Sequence, residues 1–240
     1  MKRRLALLLL CATAPGLLYL LVEAGIIWPV SPDRDRYPVM GIDVSHHQGP
    51  IDWSRLAGSE VRFAWIKATE GGDWRDTRFA ENWAGARSAG IVPGAYHFFT
   101  FCRPVADQIA NLLAVLPAEA DALPVAIDLE FGGNCAARPA PATLRTDIWA
   151  FSDAVLAHTG RRPLLYLTRD FADGYVDAPL AAAHELWVRD IFRVPAPVQG
   201  RDWTIWQHKS RGRLPGVVGP VDLNVFHAPE ERWASWIKAR

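Results

Sequence analysis

The strongest constraint on the fold is the alternation of short β-rich runs with helical segments along the chain. Strands that alternate with helices in this way form parallel βαβ units. The sequence therefore predicts an α/β fold built around a parallel sheet. Eight strand-like runs carry this pattern: Val39–Val44, Val61–Lys67, Ile91–Phe98, Pro124–Leu129, Pro163–Thr168, Leu186–Arg189, Trp203–Gln207 and Val221–Phe226.

Long helical patterns lie only between the earlier strands. Apolar residues recur at helical spacing in Thr77–Ala89, Val105–Leu116 and Leu144–His158, and each segment is followed closely by glycine or proline. After residue 186 the gaps between strands lack such patterns, which favours hairpin connections in that part. We therefore predict an irregular TIM-like (β/α) barrel whose final third departs from strict alternation.

The N-terminus carries the features of an export segment. Lys2, Arg3 and Arg4 precede an apolar run from Leu5 to Val22. A basic patch followed by such a run is typical of a secretory signal, and the run is also just long enough to span a bilayer. We interpret residues 1–27 as either a cleaved signal peptide or a retained membrane anchor, and both place the remainder outside the cytoplasmic membrane, in the periplasm or the extracellular space.

A linker is expected between this segment and the folded domain. Residues 28–38 contain three prolines and four charged residues without apolar periodicity. The folded domain is therefore expected to span residues 39–240. We expect it to be monomeric and to meet the membrane only through the N-terminal segment.

Charge and motif content exclude several classes of function. The chain has 26 basic and 26 acidic residues and no long Lys/Arg block, which argues against a nucleic-acid partner. No glycine loop of the phosphate-binding kind is present. The adjacent residues His46 and His47 point in opposite directions on an extended segment, so they are poorly placed to share a metal ion. We expect neither a cofactor nor a metal.

The cysteine and tryptophan residues each leave two interpretations open. Cys102 and Cys135 both follow expected strand ends, so in an oxidising compartment they can pair, and otherwise they are free thiols. Eleven tryptophans either form an aromatic core or supply surfaces that stack against sugar rings.

Carboxylates collect at the ends of the predicted strands. Asp43 ends the first strand, Asp128 and Glu130 the fourth, and Asp222 lies in the last. Strand ends on one face of a βα barrel build its active site. Asp128 and Glu130 are two residues apart and therefore leave the same face of the strand, as acid-assisted cleavage of a glycosidic bond requires. The competing interpretation is that these residues are helix caps or solvated loop acids.

These stretches together resemble glycoside hydrolase family 25, the Chalaropsis-type lysozymes or N-acetylmuramidases. The resemblance follows the family's order from about residue 39 to 226. The stretches that carry it are Gly41-Ile42-Asp43-Val44-Ser45, Trp65-Ile66-Lys67-Ala68-Thr69-Glu70-Gly71, Gly94-Ala95-Tyr96-His97-Phe98, Asp128-Leu129-Glu130, Ile205-Trp206-Gln207-His208 and Val221-Asp222-Leu223-Asn224.

The resemblance implies a fold and an activity. The family's barrel has about five βα units closed by three further strands, and its members cleave the β-1,4 bond between N-acetylmuramic acid and N-acetylglucosamine in the glycan strands of peptidoglycan. Glu130 is then the general acid, and Asp128 orients the substrate's 2-acetamido group or acts directly as base or nucleophile. Asp43 and Asp222 tune charge and position the sugar. The groove positions are Lys67, Tyr96, Tyr166 and Trp187.

The sequence departs from the family at one stretch and leaves other functions open. Many members have Trp-x-Ala-x-Tyr where this chain has Trp187-Val188-Arg189-Asp190-Ile191. Arg189 either favours acidic groups of the substrate or forms a salt bridge with Asp190. The competing functions are a non-catalytic peptidoglycan-binding module on the same barrel and a substrate-assisted glycosidase acting on chitin-like chains.

Overall fold

A computed structural model describes residues 16–17, 19–117, 121–133 and 135–238. The predicted signal peptide or anchor covers residues 1–27, of which residues 1–15 and 18 lie outside the described part. Across the described ranges, no helix combines the length and apolar character needed to cross a membrane.

Nine β-strands within the described residues form one sheet whose order is β1-β9-β8-β7-β6-β5-β4-β2-β3. β1 also pairs with β2, so eight of the strands close into a barrel and β3 extends β2 as a short hairpin. The strands are β1 (Met40–Val44), β2 (Val61–Glu70), β3 (Trp74–Arg75), β4 (Val92–Phe98), β5 (Ala126–Leu129), β6 (Leu164–Thr168), β7 (Leu186–Arg189), β8 (Ile205–Gly212) and β9 (Val221–Phe226).

Helices follow the first five barrel strands and give five βα units. The remaining barrel strands β7, β8 and β9 complete the closure, and a C-terminal helix follows them. A 3₁₀ turn, His46–Gln48, follows β1, so the expectation of opposed histidines on an extended segment is wrong, and the His46 and His47 rings lie with centroids 4.0 Å apart. The α-helices are α1 (Trp53–Ala57), α2 (Phe79–Ser88), α3 (Val105–Leu113), α4 (Pro141–Thr159), α5 (Arg169–Tyr175), α6 (Ala178–Ala183) and α7 (Glu230–Trp236).

The predicted irregular barrel is confirmed, and each of the eight strand-like runs overlaps a strand, although β2 and β8 extend beyond the predicted ends. The expected hairpin forms between β8 and β9, which are antiparallel. The expectation is wrong between β7 and β8, because these strands are parallel although the segment joining them contains no helix.

The core has two layers. Inside the barrel the rings of Trp65 and Trp187 stack with centroids 4.7 Å apart, and Trp65 Nε1 donates to Pro124 O over 3.0 Å. Trp233 of α7 packs against Phe63 and covers the inner cluster. A larger apolar layer lies between the strands and the surrounding helices. Such burial of large side chains is the main source of folding free energy.

Most tryptophans serve the core, which answers one of the questions left open by the sequence. Seven of the eleven are buried, and Trp187 also lines a cavity described below. The buried ones are Trp53, Trp65, Trp83, Trp187, Trp203, Trp206 and Trp233.

The segment from 28 to 38 contains neither helix nor strand, and it lies against the barrel. Trp28 Nε1 donates to His208 O over 2.8 Å, and Lys209 Nζ donates to Gly25 O over 2.7 Å. Tyr37 is buried beside Trp203, with ring centroids 5.3 Å apart. These contacts fix the path of the chain into β1.

Cys102 and Cys135 form a disulfide, which confirms the pairing interpretation. Their Cα atoms are 5.9 Å apart, and the bond joins the loop after β4 to the loop after β5. Because β4 and β5 are neighbours, their following loops leave the barrel side by side.

Replacing both cysteines by serine should lower the free energy of unfolding by about 3–4 kcal/mol. The bond links residues 33 positions apart and restricts the unfolded chain accordingly. Denaturant titration measures the loss, and wild-type protein in reducing agent serves as the control with the same expected value. Identical midpoints for oxidised and reduced wild type would contradict a stabilising bond.

Candidate active site

All eight residues predicted for the site line one cavity of about 410 Å³ at the carboxyl end of the parallel strands. Asp43 of β1 and Asp222 of β9 are direct cross-strand partners. Asp128 lies near the end of β5, with Tyr166 of β6 beside it, and Glu130 follows the strand end. The structure therefore brings together Asp43, Lys67, Tyr96, Asp128, Glu130, Tyr166, Trp187 and Asp222.

Asp43 is held by two amide side chains from the closing strands. Gln207 Nε2 and Asn224 Nδ2 donate to Asp43 Oδ2 over 2.9 and 2.7 Å. Trp187 Nε1, which can only donate, binds Asn224 Oδ1 over 2.8 Å, and Tyr166 OH donates to Gln207 Oε1 over 3.0 Å. These outer contacts turn both amide groups so that their NH₂ ends face Asp43.

The environment of Asp43 and Asp222 favours their protonated forms. Burial raises the pKa of Asp43 to about 6, and the hydrogen bonds from Asn224 and Gln207 act against this rise. Burial also raises the pKa of Asp222 well above the ordinary value, and the charge of Asp43 adds to the effect. Two carboxyl groups on neighbouring strands therefore do not ionise independently.

The environment of Asp128 also favours its protonated form. Burial raises its pKa well above the ordinary value, and the charge of Glu130 adds to the rise while Lys67 opposes it. Asp128 Oδ1 is buried without a hydrogen-bond partner among the described residues. An unpaired buried carboxyl oxygen is costly, which makes it a contact point for a ligand atom.

Glu130 occupies the boundary between two cavities. It lines the 410 Å³ cavity and a neighbouring one of about 690 Å³. Burial raises the pKa of Glu130, and the charge of Arg189 acts in the opposite direction. A side-chain carbon at Gly132 would lie only 3.0 Å from Glu130 Oε1, so glycine at that position leaves room for the carboxyl group.

Lys67 forms an ion pair and also lines the cavity, as expected of a groove residue. Its Nζ pairs with Glu70 Oε2 at 2.7 Å and lies 4.7 Å from the centre of the Phe98 ring. It also lines the cavity, where its charge lowers the pKa of Asp128. The lysine thus connects a structural ion pair to the carboxyl cluster.

Two functional side chains were not singled out from the sequence. Gln207 and Asn224 lie in β8 and β9, and both are buried. A buried amide must find hydrogen-bond partners, but both strands carry other polar residues, so the sequence does not set these two apart. Their partner Asp43 lies 164 and 181 residues away in the chain, which no local pattern reveals.

A closed βα barrel with carboxyl groups of raised pKa at its mouth has the groups needed for acid-catalysed cleavage of glycosidic bonds. Such a reaction needs one carboxylic acid to protonate the leaving oxygen and a second carboxyl group near the sugar carbon. The fold and the site together define a glycoside hydrolase.

Comparisons with known proteins identify the family. The model of glycosyl hydrolases family 25 matches residues 42–217. Lysozyme M1 of Streptomyces globisporus is 34% identical over 82% of this chain and 71% of its own, and Escherichia coli YegX is 32% identical over 84% and 74%. The structure of a family 25 glycosyl hydrolase from Bacillus anthracis superposes with a TM-score of 0.80, at 32% identity over 88% and 97% of the two chains. The chain belongs to glycosyl hydrolases family 25.

Replacing Asp43 by asparagine should stabilise the protein above about pH 6. Between about pH 4 and 6 the native state keeps a proton that the unfolded state loses, so the free energy of unfolding falls as pH rises. Asparagine does not ionise, so the substitution removes this loss of unfolding free energy, roughly 2–4 kcal/mol, and it keeps an acceptor oxygen. Denaturant titration across pH measures the difference.

Asp35→Asn is the matched control, because Asp35 is exposed and does not line the cavity. Its stability relative to wild type should not change between pH 4 and 8. If the stability difference between Asp43→Asn and wild type is also independent of pH, the raised pKa of Asp43 is contradicted.

Proposed function

We propose that the protein is a lysozyme that cleaves the β-1,4 bond between N-acetylmuramic acid and N-acetylglucosamine in peptidoglycan. The observation that carries the proposal is the placement of Asp128 and Glu130 at one strand end, facing a cavity that Asp43 and Asp222 also line. The family assignment and the similarity to Lysozyme M1 support the substrate class.

Glu130 serves as the general acid in this proposal. Glu130 lies where the two cavities meet, so sugar units of the glycan can lie on both sides of its carboxyl group. Burial raises its pKa, which favours the protonated form that can donate to the glycosidic oxygen as the bond to the anomeric carbon breaks. The leaving sugar departs with that proton as a free hydroxyl.

Asp128 assists the substrate's own 2-acetamido group. The acetamido oxygen attacks the anomeric carbon as the leaving oxygen departs, and Asp128 accepts a hydrogen bond from the amide nitrogen. Glu130, now deprotonated, removes a proton from water, and the water oxygen then opens the ring intermediate. The two displacements give net retention at the anomeric carbon. If Asp128 instead activates water as a base, one displacement gives inversion.

The other cavity residues position the sugar. Asp43 and Asp222 set the charge of the site, because their shared environment limits how many carboxyl groups ionise at once. Lys67, Tyr96, Tyr166 and Trp187 line the groove, and burial raises the pKa of Tyr96 and Tyr166 so that both phenols stay neutral donors.

We also propose that the protein is exported, to the periplasm or the extracellular space, and works as a monomer. The disulfide fits an oxidising compartment, and the apolar run from Leu5 to Val22 supplies the export signal. N-terminal sequencing of the exported protein distinguishes a cleaved signal from an anchor formed by residues 5–27, because the anchor leaves the original N-terminus in place.

Glu130→Gln should reduce the clearing of purified peptidoglycan at least about 100-fold, because the amide cannot donate an acidic proton. Turbidity loss at neutral pH measures the rate. Glu231→Gln, an equivalent change at an exposed position of α7, is the matched control and should clear the wall at the wild-type rate.

A Glu130→Gln variant as active as wild type would refute the acid assignment. A wild-type protein that binds peptidoglycan without clearing it would instead support the alternative of a non-catalytic binding module.

The released ends and their stereochemistry test the bond cleaved and the role of Asp128. Mass spectrometry of wild-type products should show reducing muramic acid, whereas reducing N-acetylglucosamine would contradict the proposed bond. NMR of the first product formed should show the β-anomer, as retention requires, and the α-anomer would exclude acetamido participation.

A further inference from the structure

Arg189 stands at the end of β7, between the two cavities. It is the cross-strand partner of Thr168 in β6 and of Gln207 in β8. It lines both the 410 Å³ cavity that holds the carboxyl cluster and the neighbouring 690 Å³ cavity. Its positive charge therefore lies beside the position where the scissile bond must sit if Glu130 protonates it.

The alternative partner suggested by the sequence, Asp190, is engaged elsewhere. Asp190 Oδ2 pairs with Arg193 Nε at 3.4 Å, and its Oδ1 accepts hydrogen bonds from the backbone N–H groups of Phe192 and Arg193 over 3.0 and 3.1 Å. Across the described parts of the chain, the guanidinium of Arg189 makes neither a hydrogen bond nor an ion pair within the usual distances.

The carboxyl groups of Asp43, Glu130 and Asp222 do not form a hydrogen bond or ion pair with Arg189 either. The arginine acts on Glu130, Asp43 and Asp222 through its charge alone, opposing the effect of burial on their pKa values. A guanidinium presents N–H donors in a planar fork that matches a carboxylate, so an unpaired arginine in a cavity is suited to an anionic ligand.

A second polar group points to the same ligand. Thr168 Oγ1 is buried and lacks a hydrogen-bond partner among the described residues, and Thr168 lines the 690 Å³ cavity together with Arg189. The threonine and the arginine are direct cross-strand neighbours. A carboxylate bound between them could accept from the hydroxyl and from the guanidinium at once.

We infer that Arg189 and Thr168 bind a carboxylate carried by the muramic acid residue at the scissile bond, so that the enzyme selects anionic glycan strands. This inference rests on the proposed lysozyme function. Two sources supply the carboxylate: the lactyl group of a muramic acid that has lost its peptide, or a free carboxylate of an attached peptide stem. Both present the same chemistry to the arginine.

Three soluble glycan fragments of equal length test the selection. The first is peptide-free with its lactyl carboxylate intact, the second carries peptide stems with free carboxylates, and the third is peptide-free with the lactyl carboxyl converted to a methylamide. For the wild type, kcat/KM on one or both charged fragments should exceed that on the methylamide at least about tenfold. The charged fragment that is preferred identifies the source of the carboxylate.

Arg189→Gln should bring the kcat/KM ratio of charged to methylamide fragments close to one, mainly through a change in KM. Arg189→Lys should recover part of this ratio, because lysine restores the positive charge but not the planar guanidinium. Thr168→Val should lower the ratio less. Arg62→Gln is the matched control and should keep the wild-type ratio, because Arg62 lines neither cavity and its guanidinium is paired with Glu230. Circular dichroism confirms that each variant is folded.

The inference is overturned if wild type and Arg189→Gln cleave the fragments with the same ratio. It is equally overturned if Arg189→Gln loses the same factor on all three fragments and shifts only the pH profile, because the arginine then acts on the carboxyl cluster alone. A wild type that cleaves none of the fragments would contradict the proposed function itself.

Discussion

Four carboxyl groups held together in a partly buried cavity are the constraint on which the rest of this structure depends. Burial disfavours their ionised forms, and each negative charge raises the cost of the next. The barrel offsets part of this cost with Gln207 and Asn224, which are themselves aimed by Tyr166 and Trp187. The aromatic side chains thus do more than fill the interior, because the Tyr166 hydroxyl and the Trp187 N–H group orient the amides that hold Asp43.

The same constraint explains how stability and chemistry are connected. A carboxylic acid that keeps its proton near neutral pH destabilises the folded state as pH rises, yet that proton is what bond cleavage requires. The two closing strands β8 and β9 supply the amides, while β5 supplies Asp128 and leads into Glu130. The strands that depart from regular βα alternation are therefore the ones whose side chains hydrogen-bond Asp43.

Much of the barrel and its acids could be predicted from the sequence, because strand runs and an apolar strand followed by Asp128 and Glu130 are local patterns. The two-residue strand β3 and the short helices α5 and α6 escaped detection, since they are too brief to show periodicity. The roles of Gln207 and Asn224 depend on Asp43, far away in the chain, and the role of Arg189 depends on its lack of a partner among the described residues of the folded protein. For these residues only the closed barrel reveals which groups meet and which remain unpaired.

Titration of the four carboxyl groups by ¹³C NMR measures the central claim most directly, with single Asp→Asn and Glu→Gln variants assigning the signals. The account predicts that Asp43 titrates near pH 6 and that Asp128 and Asp222 keep their protons well above the ordinary aspartate value of 3.8, with Glu130 above 4.5. If all four groups titrate at or below these ordinary values, the cluster is neither crowded nor shielded from water, and the proposed acid catalysis loses its physical basis.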